Sequence, residues 1–217
     1  MGHPRLKICG LRRPDQAEAI AAMGADAIGV IGVPGTPRYL PAAQRRAVFD
    51  AVAATRPDCL GVLVVADPTE EDLEDLHPRR GHAVIQLHGS ESPQQCRLLR
   101  QQIDAVFWKA LRIRRPADLE AAHDYFGVVD ALLVDAWDPE RQGGTGRSIP
   151  VEWLEDFRPP LPWWLAGGIT AASIPILGQR LRPHGLDVSS GVERAPGEKD
   201  LERVSELIEQ LRVPGAW

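Results

Sequence analysis

Cys9 and Asp135 are the residues whose types and positions suit proton chemistry in this chain, and His88 stands at a third strand end. Each closes or follows a short apolar run: Leu6–Cys9, Ala83–Leu87 and Ala131–Val134. A thiol at a strand end can be a thiolate base or nucleophile. It can equally be a buried small apolar group, and position alone does not choose. An aspartate directly after a strand suits a general acid or base. A helix cap or an ion-pair partner is the other reading. His88 lines a site or is a structural imidazole. Lys7 is two residues from Cys9, so a regular strand puts both on one face.

Ligand-holding candidates come next. Small residues end two further runs, Ala166-Gly167-Gly168 and Val188-Ser189-Ser190-Gly191. They let backbone N–H groups reach phosphate oxygens, or else make two tight turns. Gly143-Gly144-Thr145-Gly146 permits close backbone approach to a ligand, but no Gly-Lys-Ser/Thr follows as in a Walker loop. Arg38, in Thr36-Pro37-Arg38-Tyr39, can grip a carboxylate with its planar fork. It is one of 22 arginines against only three lysines, Lys7, Lys109 and Lys199, so a solvated surface role competes. His88 and Cys96 make no convincing metal pair with Cys9, and no Asp/Glu/His cluster has ligand spacing, so no metal is assigned.

Something must bring these strand ends together. The apolar runs Leu6–Cys9, Ala27–Val33, Leu60–Ala66, Ala83–Leu87, Ala105–Ala110, Ala131–Val134, Trp163–Ala166 and Leu186–Val188 read as parallel strands buried on both faces. Helical stretches alternate with them: Asp15–Met23, Ala42–Ala54, Thr69–Leu76, Ser92–Gln102, Ala117–Phe126, Val151–Phe157, Thr170–Leu181 and Asp200–Leu211. Eight units in 217 residues, about 27 each, are the rhythm of a single-domain (β/α)8 barrel over residues 1–217. An open doubly wound sheet is the alternative, but its G-x-G-x-x-G fingerprint is absent after the first strand.

Composition narrows the class. A net charge of −5 with no basic stripe argues against a nucleic-acid partner. No apolar run approaches the roughly 18 residues of a membrane span. The chain enters its first strand without a signal-peptide core. Three widely spaced cysteines form no disulfide framework. The cysteine pattern favours a reducing cytoplasm, the strand-end residues point to a small-molecule ligand, and the sequence leaves monomer and homodimer both open.

Read together and in order, these segments resemble the phosphoribosylanthranilate isomerase family of tryptophan biosynthesis over nearly the whole chain. The resemblance rests on Lys7-Ile8-Cys9-Gly10-Leu11, Gly24-Ala25-Asp26, Thr36-Pro37-Arg38-Tyr39, Gln86-Leu87-His88-Gly89 and Lys109-Ala110-Leu111. It continues through Leu133-Val134-Asp135, Gly143-Gly144-Thr145-Gly146, Ala166-Gly167-Gly168 and Asp187-Val188-Ser189-Ser190-Gly191-Val192-Glu193. It implies a TIM barrel that performs a cofactor-free Amadori rearrangement of N-(5′-phosphoribosyl)anthranilate to 1-(2-carboxyphenylamino)-1-deoxyribulose 5-phosphate. Carried over by motif, Asp135 is the general acid and Cys9 the general base. Arg38 would hold the anthranilate carboxylate, and Gly168, Ser190 and Gly191 the phosphate, with Lys7, His88 and Gly144 also at the substrate. The chain departs from the family at Ile149-Pro150-Val151, at Ser173, and after strand two at Val30-Ile31-Gly32-Val33. Two alternatives stand beside this reading. One is a dual-substrate or histidine-pathway aminoaldose isomerase. The other is a phosphate-binding barrel that has lost catalysis.

Overall fold

Each of the eight apolar runs forms a strand in the computed structural model, which describes residues 3–136 and 148–217. The strands are β1 Arg5–Cys9, β2 Ala27–Ile31, β3 Leu60–Val65 and β4 Val84–Leu87, then β5 Val106–Ile113, β6 Ala131–Ala136, β7 Trp163–Ala166 and β8 Gly185–Val188. They pair in sequence order, all parallel, and β8 returns to β1 with Lys7 opposite Asp187. The result is a closed barrel, the fold the eightfold rhythm predicts.

Alternation along the strands makes two apolar cores. Outward residues such as Ile8, Ile28, Leu63, Ile85, Leu132 and Leu186 pack beneath the helices. Inward residues, among them Ala27, Val62, Val84 and Leu133, fill the barrel. Trp108 and Trp164 stack inside it at 4.6 Å between ring centroids. Gly185 is the space for that stack, since a Cβ there would lie 2.3 Å from the Trp164 ring. Large aromatics thus plug the N-terminal half of the barrel, and polar side chains are left to the C-terminal end.

The full helices are α1 Pro14–Met23, α2 Ala42–Thr55, α4 Pro93–Gln102 and α6 Leu201–Arg212, with the short α3 Leu73–Leu76 and α5 Ile174–Arg180 between them. Their ends follow sequence chemistry. Gly24, at φ 112°, caps α1. Ser92 and Gln95 form a capping box on α4, and Asp200 accepts from the N–H groups of Glu202 and Arg203 to start α6.

Several expected helices differ. The stretch read as Ala117–Phe126 is a 3-10 helix over Pro116–Tyr125. Its buried residues, Leu119, Ala122 and Tyr125, are spaced by three, which matches three residues per turn. Val151–Phe157 yields only a 3-10 turn over Val151–Trp153, between Pro150 and Pro159-Pro160. A 3-10 turn also opens the units at Glu70–Asp72 and Ala171–Ser173. Strand five runs past the Ala105–Ala110 run to Ile113, so Lys109 sits mid-strand, and Asp135 lies inside β6 rather than just after it. Beyond β8, Glu193–Ala195 (β9) and Glu198–Lys199 (β10) form a two-stranded hairpin that the sequence did not announce. The Ile149–Val151 departure is anchored by Ile149, which is buried in the outer core. No helix among the described residues is long and apolar enough to cross a membrane.

Candidate active site

Period-two alternation selects the site. Cys9 on β1, Gln86 on β4 with His88 just past it, Asp135 on β6 and Asp187 on β8 all project to one place. They line a cavity of about 440 Å³ at the C-terminal end of the barrel, where barrel chemistry is expected. Arg38, Gly168, Ser190 and Gly191 also border it. Of the residues picked from sequence, Gly144 lies outside the described residues. Lys7 is fully buried, is not part of the cavity wall, and reaches the site only through its neighbours.

Those neighbours form a connected polar set. The Lys7 ammonium donates to Asp187 Oδ2 and to Gln86 Oε1, each at 2.9 Å. Gln86 Nε2 lies 3.0 Å from His88 Nδ1, and His88 Nε2 lies 3.5 Å from Asp135 Oδ2. Two buried atoms here make no hydrogen bond among the described residues, His88 Nε2 and Asp187 Oδ1. Burial pushes the Cys9 thiol above its ordinary value of 9.0; the Lys7 charge pulls it back, and Asp187 pushes it up again. Burial alone would lower Lys7, but the Asp187 carboxylate and the Cys9 side chain together outweigh it and the ammonium is held above its ordinary value. Gly29 leaves the room for this arrangement. A Cβ there would lie 2.6 Å from Cys9 Sγ and 2.9 Å from Lys7 Cε.

The far rim is built for close backbone approach. Gly167 and Gly168 both have positive φ, 92° and 64°. Ser190–Val192 is a single 3-10 turn after β8. A Cβ on Gly191 would sit 2.0 Å from the Ile169 carbonyl oxygen, so the loops after β7 and β8 touch there. Ser189 closes the ring by donating its hydroxyl to the Cys9 carbonyl at 3.0 Å. Ser173, the departure in this region, pairs with Thr170 in a capping box, accepting the Thr170 N–H at 3.0 Å.

Arg38 reaches over Gly10, where a Cβ would lie 2.6 Å from its Cδ. It is not a free cation. Its Nε donates to Glu193 Oε1 at 2.9 Å and its Nη2 to Oε2 at 2.6 Å, which leaves Nη1 of the fork unengaged among the described residues. Glu193 also takes the Lys199 ammonium at 2.7 Å, and Lys199 donates to the Ser189 carbonyl at 3.2 Å. The third lysine, Lys109, pairs with Glu91 at 2.8 Å and donates to the Gly89 carbonyl at 3.0 Å, which pins the loop after His88. All three lysines are buried, each on one carboxylate.

Sequence reasoning missed Gln86, Asp187 and Glu193. The alternation that linked Lys7 to Cys9 would have found two of them, because Gln86 stands two residues before His88 and Asp187 two before Ser189. Glu193 had no such signal, since its role depends on the hairpin that follows. Among the described residues no three His, Cys, Asp or Glu side chains converge as metal ligands.

Comparison with known proteins gives a consistent result. Residues 6–210 match the model of the family described as N-(5'phosphoribosyl)anthranilate (PRA) isomerase. An N-(5'-phosphoribosyl)anthranilate isomerase of Synechococcus sp. (strain JA-3-3Ab) is 47% identical over 216 residues, covering 99% of this chain and 94% of the relative. Among solved structures, the phosphoribosyl anthranilate isomerase of Thermus thermophilus superposes with a TM-score of 0.82 at 32% identity, over 95% of this chain and 98% of that one. Another phosphoribosyl anthranilate isomerase, 26% identical with a TM-score of 0.77 over 96% of this chain and 98% of that one, was solved with reduced 1-(o-carboxyphenylamino)-1-deoxyribulose 5-phosphate. With a matching family model along most of its length and a relative at nearly half identity end to end, this chain belongs to the N-(5'-phosphoribosyl)anthranilate isomerase family.

Proposed function

We propose that the chain isomerises N-(5′-phosphoribosyl)anthranilate in tryptophan biosynthesis, with Asp135 as general acid and Cys9 as general base. The observation that carries this reading is their placement. They wall one cavity from β6 and β1, with a glycine-rich rim on one side and a guanidinium on another. A phosphate held by the backbone around Gly168, Ser190 and Gly191 leaves the sugar between acid and base. The remaining face of Arg38, oriented by Glu193, meets the anthranilate carboxylate.

The first step protonates the ribose ring oxygen from Asp135. The C1′–O bond breaks, and the anilino nitrogen's lone pair forms the C1′=N iminium. Cys9 thiolate then takes the C2′ proton, and the C–H electron pair neutralises the iminium as an enolamine. Proton transfer to C1′ with loss of the O2′ proton gives the ketoamine. The substrate's own amine and hydroxyl supply the electron flow, so the chemistry calls for no cofactor. Burial keeps Cys9 mostly as thiol in the free protein. The iminium formed in the first step places a positive charge beside it and favours the thiolate when it is needed.

The test is turnover of the anthranilate substrate, followed by loss of its fluorescence. The parent chain turns it over, and Cys9→Ser and Asp135→Asn each lose about 10²-fold or more, the scale of a general acid or base. Binding without turnover by the parent would support a barrel that has lost catalysis. Unchanged rates in both variants would remove these two residues from the mechanism.

A further inference from the structure

Lys7 fixes more than the environment of Cys9. An ammonium has only donors, so the Gln86 oxygen must face Lys7 and accept its proton, at 2.9 Å. The Gln86 amide nitrogen is then turned toward His88 Nδ1, at 3.0 Å. An amide nitrogen only donates, so Nδ1 must carry a lone pair. The ring proton is therefore on Nε2, the atom 3.5 Å from Asp135 Oδ2 and otherwise without a partner. Every hydrogen-bond direction in the chain Lys7–Gln86–His88–Asp135 follows from the first one.

We infer that Gln86 is a positioning residue that sets the tautomer of His88, so that His88 presents a donor, never an acceptor, to Asp135. This rests on the assignment of Asp135 as the acid. It deepens that assignment in two ways. The Nε2–H claims Oδ2, so the proton Asp135 transfers resides on Oδ1. When that proton leaves, the new carboxylate meets a donor already aimed at it, and the 3.5 Å separation closes as charge develops. Lys7 thus orients the acid across the barrel while its charge acts on the base beside it.

The surroundings of His88 support a fixed ring. Gln86 and His88 are both buried, at 1% and 8% exposure. The next residue, Gly89, gives its carbonyl to Lys109 and its N–H to Glu91 at 3.1 Å, so the backbone after the ring is held by a buried ion pair.

The experiment is long-range 1H–15N NMR of the full chain labelled at histidine, with His88 assigned by loss of its signals in His88→Asn. The expected result is a pyrrole-like Nε2 and a pyridine-like Nδ1. Gln86→Glu, nearly isosteric and still able to accept from Lys7, cannot donate to Nδ1. It should place a proton on Nδ1 and lower kcat by about tenfold or more with KM within about twofold. A parent chain with its proton on Nδ1 would overturn the inference, as would Gln86→Glu with an unchanged tautomer or unchanged kcat. The NMR arm needs no substrate. Absence of turnover by the parent would instead strike the acid–base reading and leave the tautomer result standing.

Discussion

A β-carbon on Gly29 would lie 2.6 Å from Sγ of Cys9 and 3.1 Å from the Cys9 Cα, so the thiol occupies the space a side chain on β2 would take. Neither neighbour yields easily, because one of the atoms is backbone. Gly29→Ala is expected to cost about 1–3 kcal/mol of stability, as overpacking does, and to cut turnover by displacing the thiol. Denaturant unfolding and the fluorescence assay read the two effects. Parent-like values in both would mean that the space is not required.

Cys9 is expected to alkylate with a pH midpoint above 9.0, since burial is the largest influence on it. Lys7 counts for more at the thiol than Asp187 does, so Lys7→Met with Asp187→Asn should move the midpoint higher still. Mass spectrometry of the iodoacetamide adducts separates Cys9 from Cys96, pushed up to about 11, and Cys59, pushed up to about 12, so the midpoint is read at Cys9 alone. A midpoint under the ordinary value, or one that falls in the double variant, would contradict this electrostatic account.

Breaking the Lys7–Asp187 pair on one side strands a buried charge. Lys7→Met alone should lose roughly 3–5 kcal/mol of unfolding free energy, because Asp187 is left without its cation. Adding Asp187→Leu should recover most of it, since the loss comes from the unpaired carboxylate. Urea unfolding of the parent, single and double variants distinguishes this from a simple packing defect, in which the second substitution would add to the loss.

Glu193 links stability to acid pH. Burial alone would raise its carboxyl, but Arg38 and Lys199 outweigh burial and hold it below the ordinary 4.5. A carboxylate depressed by folding contributes stability above its unfolded value and loses it as pH falls through the folded one. Stability of the parent should therefore drop as pH falls below 4.5, and Glu193→Gln should flatten that part of the curve. An equally steep acid limb in the variant would assign the drop to other groups.

Gly191 should control phosphate affinity. A methyl there meets the Ile169 carbonyl at 2.0 Å, so the loop after β8 must move away from the loop after β7. Gly191→Ala is expected to raise KM about tenfold or more, with a smaller change in kcat. Inhibition by inorganic phosphate should weaken in parallel. A lower kcat at unchanged KM would place the defect at the acid or base.

The strands were legible because burial on both faces leaves near-continuous apolar runs, and all eight formed where such runs occur. The intervening helices were less so. Ala117–Phe126 read as one more helical stretch, yet its buried residues Leu119, Ala122 and Tyr125 are spaced by three, which fits a 3-10 helix better. In the site, Cys9 and Asp135 stood out as reactive types at strand ends and His88 as a residue that could line it, and the cavity brings all three together. Arg38 was legible as a ligand-facing fork but not as a group already held by Glu193. That contact spans 155 residues and a hairpin whose formation no local pattern signals.

The burial of all three lysines has a practical side. Arginine carries the exposed positive charge, so amine-directed acylation finds no accessible lysine side chain on the folded barrel. Each lysine becomes reachable only when its carboxylate partner lets go. A lysine-specific acylating label therefore works as a counter of opened molecules, and the order in which Lys7, Lys109 and Lys199 take it up maps which sector of the barrel mouth opens first.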